Sequence, residues 1–429
     1  MSPSRRRAFI GLGLIAAGIV GSAFSGNLSV HAARFAVLYG LSLAGFALLA
    51  TAASSLPLRG AVLAAIVLRL VLLPGTPTLS DDFYRFVWDG RVQLSGINPY
   101  RHAPSSSALD GVAYADRGDI DLADLRTVYP PLAQASFLGV AAVHGGWLAF
   151  KLLFGAFDLA AAAAVWWLAG VRRRKTATAL YLLCPAVILQ TWDAAHLESV
   201  ALFFILLAAG LLLRGRDASG GVALGVAAAF KLTPLGLLVP ALLGGRAKPA
   251  RLLAGFVPAF AIPYVPYLLT GGATGSLFQS GSDWTGGALV FTLAAAATGP
   301  DVARVVCAVA FVTGAVWLAR RLRGRELTAP VFAWTMTLLT LCLPVVHAWY
   351  WLTPLALALA AGLWLPVAIG LLAPVPEAFP VGWPSVLPPW RQATAFLLSR
   401  LRSGNRTSLV HLRGVPHTGR ARPSTEGPP

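Results

Sequence analysis

The chain has 429 residues, of which 57% are hydrophobic and only 12% charged, with a net charge of +17. A soluble globular domain carries about 25% charged residues, and one soluble core is too small to bury this much apolar sequence, so an ordinary water-soluble protein is excluded. Nucleic-acid binding is excluded as well, because the basic residues fall in short clusters between apolar blocks and not beside aromatics along one soluble face.

In chain order, Arg5-Arg6-Arg7 precede an apolar run from Ala8 to Phe24. The start resembles a signal peptide, and Arg6-Arg7-Ala8-Phe9 resembles a twin-arginine signal. More apolar runs follow, so it reads as a first span with a positive cytoplasmic flank. Further basic clusters lie at Arg59, Arg172 to Lys175, Arg214 with Arg216, Arg246 with Lys248 and Arg251, and Arg320 to Arg325. All mark the cytoplasmic side.

A crossing needs roughly 20 apolar residues. Spans are expected at about 8–25, 34–54, 60–74, 147–170, 176–192, 197–213, 252–270, 302–320, 328–346 and 350–372. Pro131 to Val143 is too short to cross and reads as a helix on the outer interface. Gly221 to Leu243 is interrupted at Lys231-Leu232-Thr233-Pro234, which predicts a re-entrant or broken pair beside a cavity.

The expected fold is therefore all-α and polytopic, with about 10–12 transmembrane helices over residues 1–373 and a large outer loop over 75–130. From about Pro374 to Pro429 the composition turns to Pro, Arg, Ser and Gly. That stretch is expected to be a disordered cytoplasmic tail, or an out-of-frame C-terminus. Cys184, Cys307 and Cys342 lie inside apolar blocks and read as small core residues.

The acids identify the working face. Asp81, Asp82, Asp89, Asp110, Asp116, Asp119, Asp121 and Asp124 share the loop from Gly75 to Pro130, and Asp193, Glu198, Asp283 and Asp301 fall on the same side. Ser80-Asp81-Asp82 follows a span directly. Two adjacent carboxylates at a span end repel, which raises the pKa of one unless a cation compensates, and Arg85 and Arg91 are near enough to do so. Such a site suits a carboxylate that takes a proton from a hydroxyl. The plainer alternative is a helix N-cap by Ser80 or Asp81.

Three other places carry polar chemistry. Asp193 and His196 are three apart and on a helix would share a face; with Glu198 they suit a phosphate-bearing head group, while a metal lacks further ligands. Lys231 lies inside an apolar run, where ionisable residues are functional candidates. His347, before Ala348-Trp349-Tyr350-Trp351, faces the same compartment as Asp81 and Asp82. Lys151 and Asp158, seven apart on one helix face, are the feature a transporter or flippase would use.

Ser80 to Pro104 resembles the first outer loop of bacterial polyprenyl-phosphate-mannose-dependent mannosyltransferases of the GT-C superfamily. The resemblance rests on the acidic pair, Trp88-Asp89-Gly90-Arg91, Gly96-Ile97-Asn98-Pro99-Tyr100 and Tyr129-Pro130-Pro131-Leu132-Ala133-Gln134. Lys231-Leu232-Thr233-Pro234 and Trp349-Tyr350-Trp351-Leu352-Thr353-Pro354 are similar too.

It implies an inner-membrane enzyme with both termini cytoplasmic and its active site facing the periplasm or outside. There a hexose, mannose by resemblance, passes with inversion from a polyprenyl-phosphate donor to a glycolipid or glycan acceptor. Asp81 or Asp82 is then the general base. Arg85, Arg91, Lys231 and His347 are the donor-phosphate candidates. Trp88, Asp89, Asn98, Tyr100, Tyr129, Asp193, His196 and Glu198 are the substrate candidates. No cofactor is expected. The partners are the donor, the acceptor and membrane lipids.

Overall fold

A computed structural model describes residues 2–244, 248–277, 279, 285–321 and 327–375. Among these the chain is helical, with no strand beyond an isolated bridge between Gly286 and Val345. Of the expected tail, residues 376–429 lie outside the described residues, as does Asp283.

The chain opens with α1 (Pro3–Ala23), α2 (Ala32–Ala50) and α3 (Leu58–Leu72). Helices α1 and α2 touch backbone to backbone: a Cβ on Gly11 would meet Gly45 O at 2.6 Å, and one on Gly45 would meet Gly11 O at the same distance. Such small-residue contacts are how apolar helices associate where no hydrophobic effect separates them from lipid. The loop after α3 holds α4 (Asp82–Leu94) and leads into α5 (Pro131–Ala142), with Pro131 at a helix start as its fixed φ favours. Then come α6 (Trp147–Leu168), α7 (Arg174–Leu182) and α8 (Pro185–Ile188), followed by a π-helical turn over Leu189–Asp193.

The second half contains α9 (Glu198–Leu212), α10 (Asp217–Phe230), α11 (Leu238–Leu243), α12 (Pro249–Ala261) and α13 (Val265–Leu269). It ends with α14 (Leu289–Thr298), α15 (Pro300–Arg320), α16 (Ala329–Cys342), α17 (Leu352–Ala361) and α18 (Trp364–Leu372). Among the described residues, five stretches are long and apolar enough to cross a membrane by themselves: Pro3–Ala23, Ala32–Ala50, Trp147–Leu168, Pro249–Leu269 and Pro300–Arg320. The protein is an all-α polytopic membrane protein.

Four details depart from the expected spans. Residues 176–192 are not one helix, because Pro185 has no N–H to continue the ladder, and α7 ends at Leu182. Residues 350–372 form two helices, α17 and α18, parted at Gly362, whose φ of 79° favours glycine. Helix α14 was not anticipated. The fourth departure lies between Asp193 and His196: Ala195 has φ 53°, so the two do not share a helix face. The break at Lys231 is as expected. α10 ends at Phe230, Lys231 is extended, and a 3-10 turn over Thr233–Leu237 leads into α11.

Candidate active site

Asp81 occupies the N-cap position of α4, but its side chain makes no capping bond; Ser80 Oγ instead accepts from Asp82 N at 3.2 Å. Both carboxylates are therefore left for other work. The Asp82 side chain is 37% exposed at the rim of a cluster drawn from four parts of the chain. His196 Nδ1 lies 3.6 Å from Asp82 Oδ2, and Tyr129 makes a side-chain hydrogen bond to Asp82. Lys231 is close enough to act on the Asp82 charge.

Burial pushes the Asp82 pKa up to about 6, against the opposing pull of the Tyr129 hydrogen bond and of Lys231, with Asp121 and Asp81 adding to the rise. Asp81 is also raised, first by burial and then by Asp121 and Asp119. Burial, with Lys231 and His347 nearby, holds His196 well below the usual imidazole range. His196 is thus a neutral ring, and at 3.6 Å its contact with Asp82 is dipolar and not an ion pair.

His196, Trp349 and His347 stack in series. The ring centroids are 3.6 Å apart for His196 and Trp349, and 4.3 Å apart for Trp349 and His347. His196 and His347 thus pack on Trp349, and the indole serves as an internal spacer.

Lys231 forms a buried ion pair with Glu198, and its Nζ lies 3.5 Å from the Tyr350 ring centroid. Thr353 Oγ1 donates to the other Glu198 oxygen at 3.2 Å. Because α9 begins at Glu198 and α10 returns beside it, the broken helix delivers Lys231 to the end that carries Asp82.

The remaining candidates are placed around this cluster. Arg85 Nε donates to Asp89 Oδ1 at 2.8 Å, and Gln134 Nε2 donates to Asp89 Oδ2 at 2.8 Å, fixing α4 to α5. Arg85 Nη2 is buried and has no hydrogen-bond partner among the described residues. Asn98 Nδ2 donates to Tyr267 O, Thr270 Oγ1 and Gly272 O, while Tyr100 OH donates to Tyr129 O at 2.7 Å. Arg91 donates to Ala113 O at 2.8 Å and lies over Tyr114; Trp88 is buried beneath Arg117. The structure thus brings Asp82, Tyr129, His196, Glu198, Lys231 and His347 together. It places Arg91, Trp88, Asn98 and Tyr100 in the frame of the loop. Asp193 turns the other way, onto the backbone of Thr78 and Leu79.

The sequence of the alpha-(1→6)-mannopyranosyltransferase N-terminal domain family matches residues 10–244, more than half of the chain. The chain belongs to this mannosyltransferase family. No curated protein and no solved structure matches it. The matched region of the mannosyltransferase contains the acidic pair, Tyr129, the His196 connector and Lys231; Trp349 and His347 lie beyond it.

Sequence reasoning singled out Asp158 but missed the buried group around it, Arg69 above all. Asp158 accepts from Arg69 Nε at 2.7 Å, Tyr181 OH at 2.9 Å and Trp192 Nε1 at 2.9 Å, all buried. The signal available was Arg69 itself, an ionisable residue within an apolar span. Lys151 is also spent internally, on Leu72 O and Gly75 O. Among the described residues no group of three metal-ligating side chains occurs.

Proposed function

We propose that this mannosyltransferase transfers mannose with inversion from a polyprenyl-phosphate donor to a hydroxyl of a glycolipid or envelope glycan, with Asp82 as general base. The observation that carries this reading is the Asp82 carboxyl, hydrogen-bonded by Tyr129 and 3.6 Å from the His196 ring, at the end of the molecule to which the broken helix delivers Lys231. A base whose pKa lies near the working pH is ionised yet more basic than an ordinary carboxylate.

The acceptor oxygen attacks the mannose anomeric carbon as the bond from that carbon to the phosphate oxygen breaks. The acceptor proton goes to Asp82, and polyprenyl phosphate leaves with the bonding electrons. Lys231 meets the charge that develops on the phosphate; Arg85, whose Nη2 has no hydrogen-bond partner among the described residues, is a second candidate for that role. Neutral His196 keeps the Asp82 carboxyl turned toward the cluster without neutralising it. Inversion to an α-linked product requires a β-linked donor, and an α-1,6 linkage is the one in the family's name. A lipid donor accounts for an enzyme built into a membrane. The site is read as facing the periplasm or outside of the inner membrane, on the charge asymmetry of the loops.

The test uses the full chain in lipid with radiolabelled polyprenyl-phosphate mannose, and with the glucose and arabinose analogues, against mannan and membrane glycolipid acceptors. Transfer from the mannose donor alone, lost in Asp82→Asn and retained in Asp81→Asn, is expected. Loss in Asp81→Asn alone would reassign the base, and transfer undiminished in both would remove it.

A further inference from the structure

The segment between α3 and α4 carries Asp81 and Asp82 into the site, yet it is neither helix nor strand from Pro74 to Asp81 apart from a turn. Its backbone groups need partners, and two buried charges supply them. Lys151 Nζ, from α6, donates to Leu72 O at 2.9 Å and to Gly75 O at 2.6 Å. Asp193 Oδ2, from the π-helical turn, accepts from Thr78 Oγ1 at 2.8 Å, Leu79 N at 3.1 Å and Thr78 N at 3.3 Å. Lys151 is fully buried and Asp193 nearly so.

The division of labour follows from charge. An ammonium has only donors and takes the carbonyls at the start of the segment; a carboxylate has only acceptors and takes the amides near its end. The platform beneath both is rigid, because Asp158 ties α6 to α3 through Arg69 and to the π-helical turn through Trp192. A Cβ on Gly155 would meet the Trp192 ring at 2.4 Å, so α6 and that turn are in close contact.

We propose that Lys151 and Asp193 are positioning residues: together they clamp residues 72–79 and so set where the Asp82 carboxylate stands relative to His196 and Lys231. This rests on Asp82 as the base. A displaced base is expensive, since a misplacement of about 1 Å costs about 10²-fold in rate.

The test combines hydrogen–deuterium exchange of peptides spanning residues 73–82 with kinetics, on the full chain in lipid, for Lys151→Met, Asp193→Asn and Thr78→Val. Lys151→Arg serves as the conservative control. The expected result is faster exchange over 76–82, kcat lowered by about 10²-fold in the charge variants with the donor KM unchanged, and partial recovery in Lys151→Arg. If Asp193→Asn does not fold, Thr78→Val carries the test, because it removes one donor and leaves the charge. Wild-type exchange in folded variants overturns the clamp, and so does wild-type kcat. Activity surviving in Asp82→Asn would remove the base assignment, and exchange would still judge the clamp.

Discussion

Asp82 Oδ2 and His196 Nδ1 lie 3.6 Å apart, a carboxyl at the start of α4 meeting a ring on the connector before α9. The imidazole is held neutral by burial, so it adds no positive charge that would lower the Asp82 pKa. Stacking on Trp349 fixes the ring plane. The carboxyl therefore keeps a basicity set by burial, with Lys231 and Tyr129 pulling the other way.

Replacing Asp82 with Asn should lower kcat by about 10²–10⁴-fold, the usual contribution of a general base. In the wild-type enzyme kcat/KM should rise with pH through a midpoint near 6, because Asp82, as the proposed base, acts only once it has lost its proton. The limb should be absent from the residual activity of the variant. A pH–rate profile of both proteins checks this.

The same shift has a stability consequence. The folded-state pKa of Asp82 is raised from 3.8 to about 6, so the native state binds more protons than the unfolded chain between those values. Stability from this group is lost as pH rises through that window and stays lost above it. Asp82→Asn should therefore melt higher than wild type at pH 8, with the difference closing below about pH 4. Melting of the detergent-solubilised protein across pH would show it.

Lys231 and Glu198 should be separable by a double variant. Lys231→Met leaves a buried carboxylate uncompensated, and breaking such a pair costs about 3–5 kcal/mol. Adding Glu198→Gln should restore much of the melting temperature and none of the transfer rate. Recovery of both would mean that Lys231 serves folding alone.

Gly90 tests the packing of α4. A Cβ there would lie 2.4 Å from Phe137 O on α5 and 2.9 Å from the Ala141 side chain. Gly90→Ala should push α4 from α5, strain the Asp89–Gln134 bond and lower both melting temperature and kcat. Gly96→Ala, with φ 76° but open space around it, should cost stability through strain with little effect on kcat.

Much of this was legible in the chain itself. Blocks of apolar residue between arginine clusters announced the spans, because lipid demands contiguous apolar length. The break at Lys231 was legible because Pro234 and a charge interrupt one such block. Asp81 and Asp82 stood out as a pair at a span end. The parting of α17 from α18 at Gly362 was not legible, since a glycine in an apolar run carries no sign of its φ.

Sequence by itself determined that the protein is helical and membrane-embedded and that its acids gather in one loop, because those properties are local: they depend on composition and on order along the chain. Only the tertiary structure decided which polar residues meet. Asp193 and His196 lie three apart yet turn in different directions at Ala195, one holding the loop backbone and the other facing Asp82. Lys231 reaches Glu198 because α10 folds back along α9. Which buried charge neutralises which, and which carboxyl is left with a raised pKa, depends on distances that sequence order does not contain.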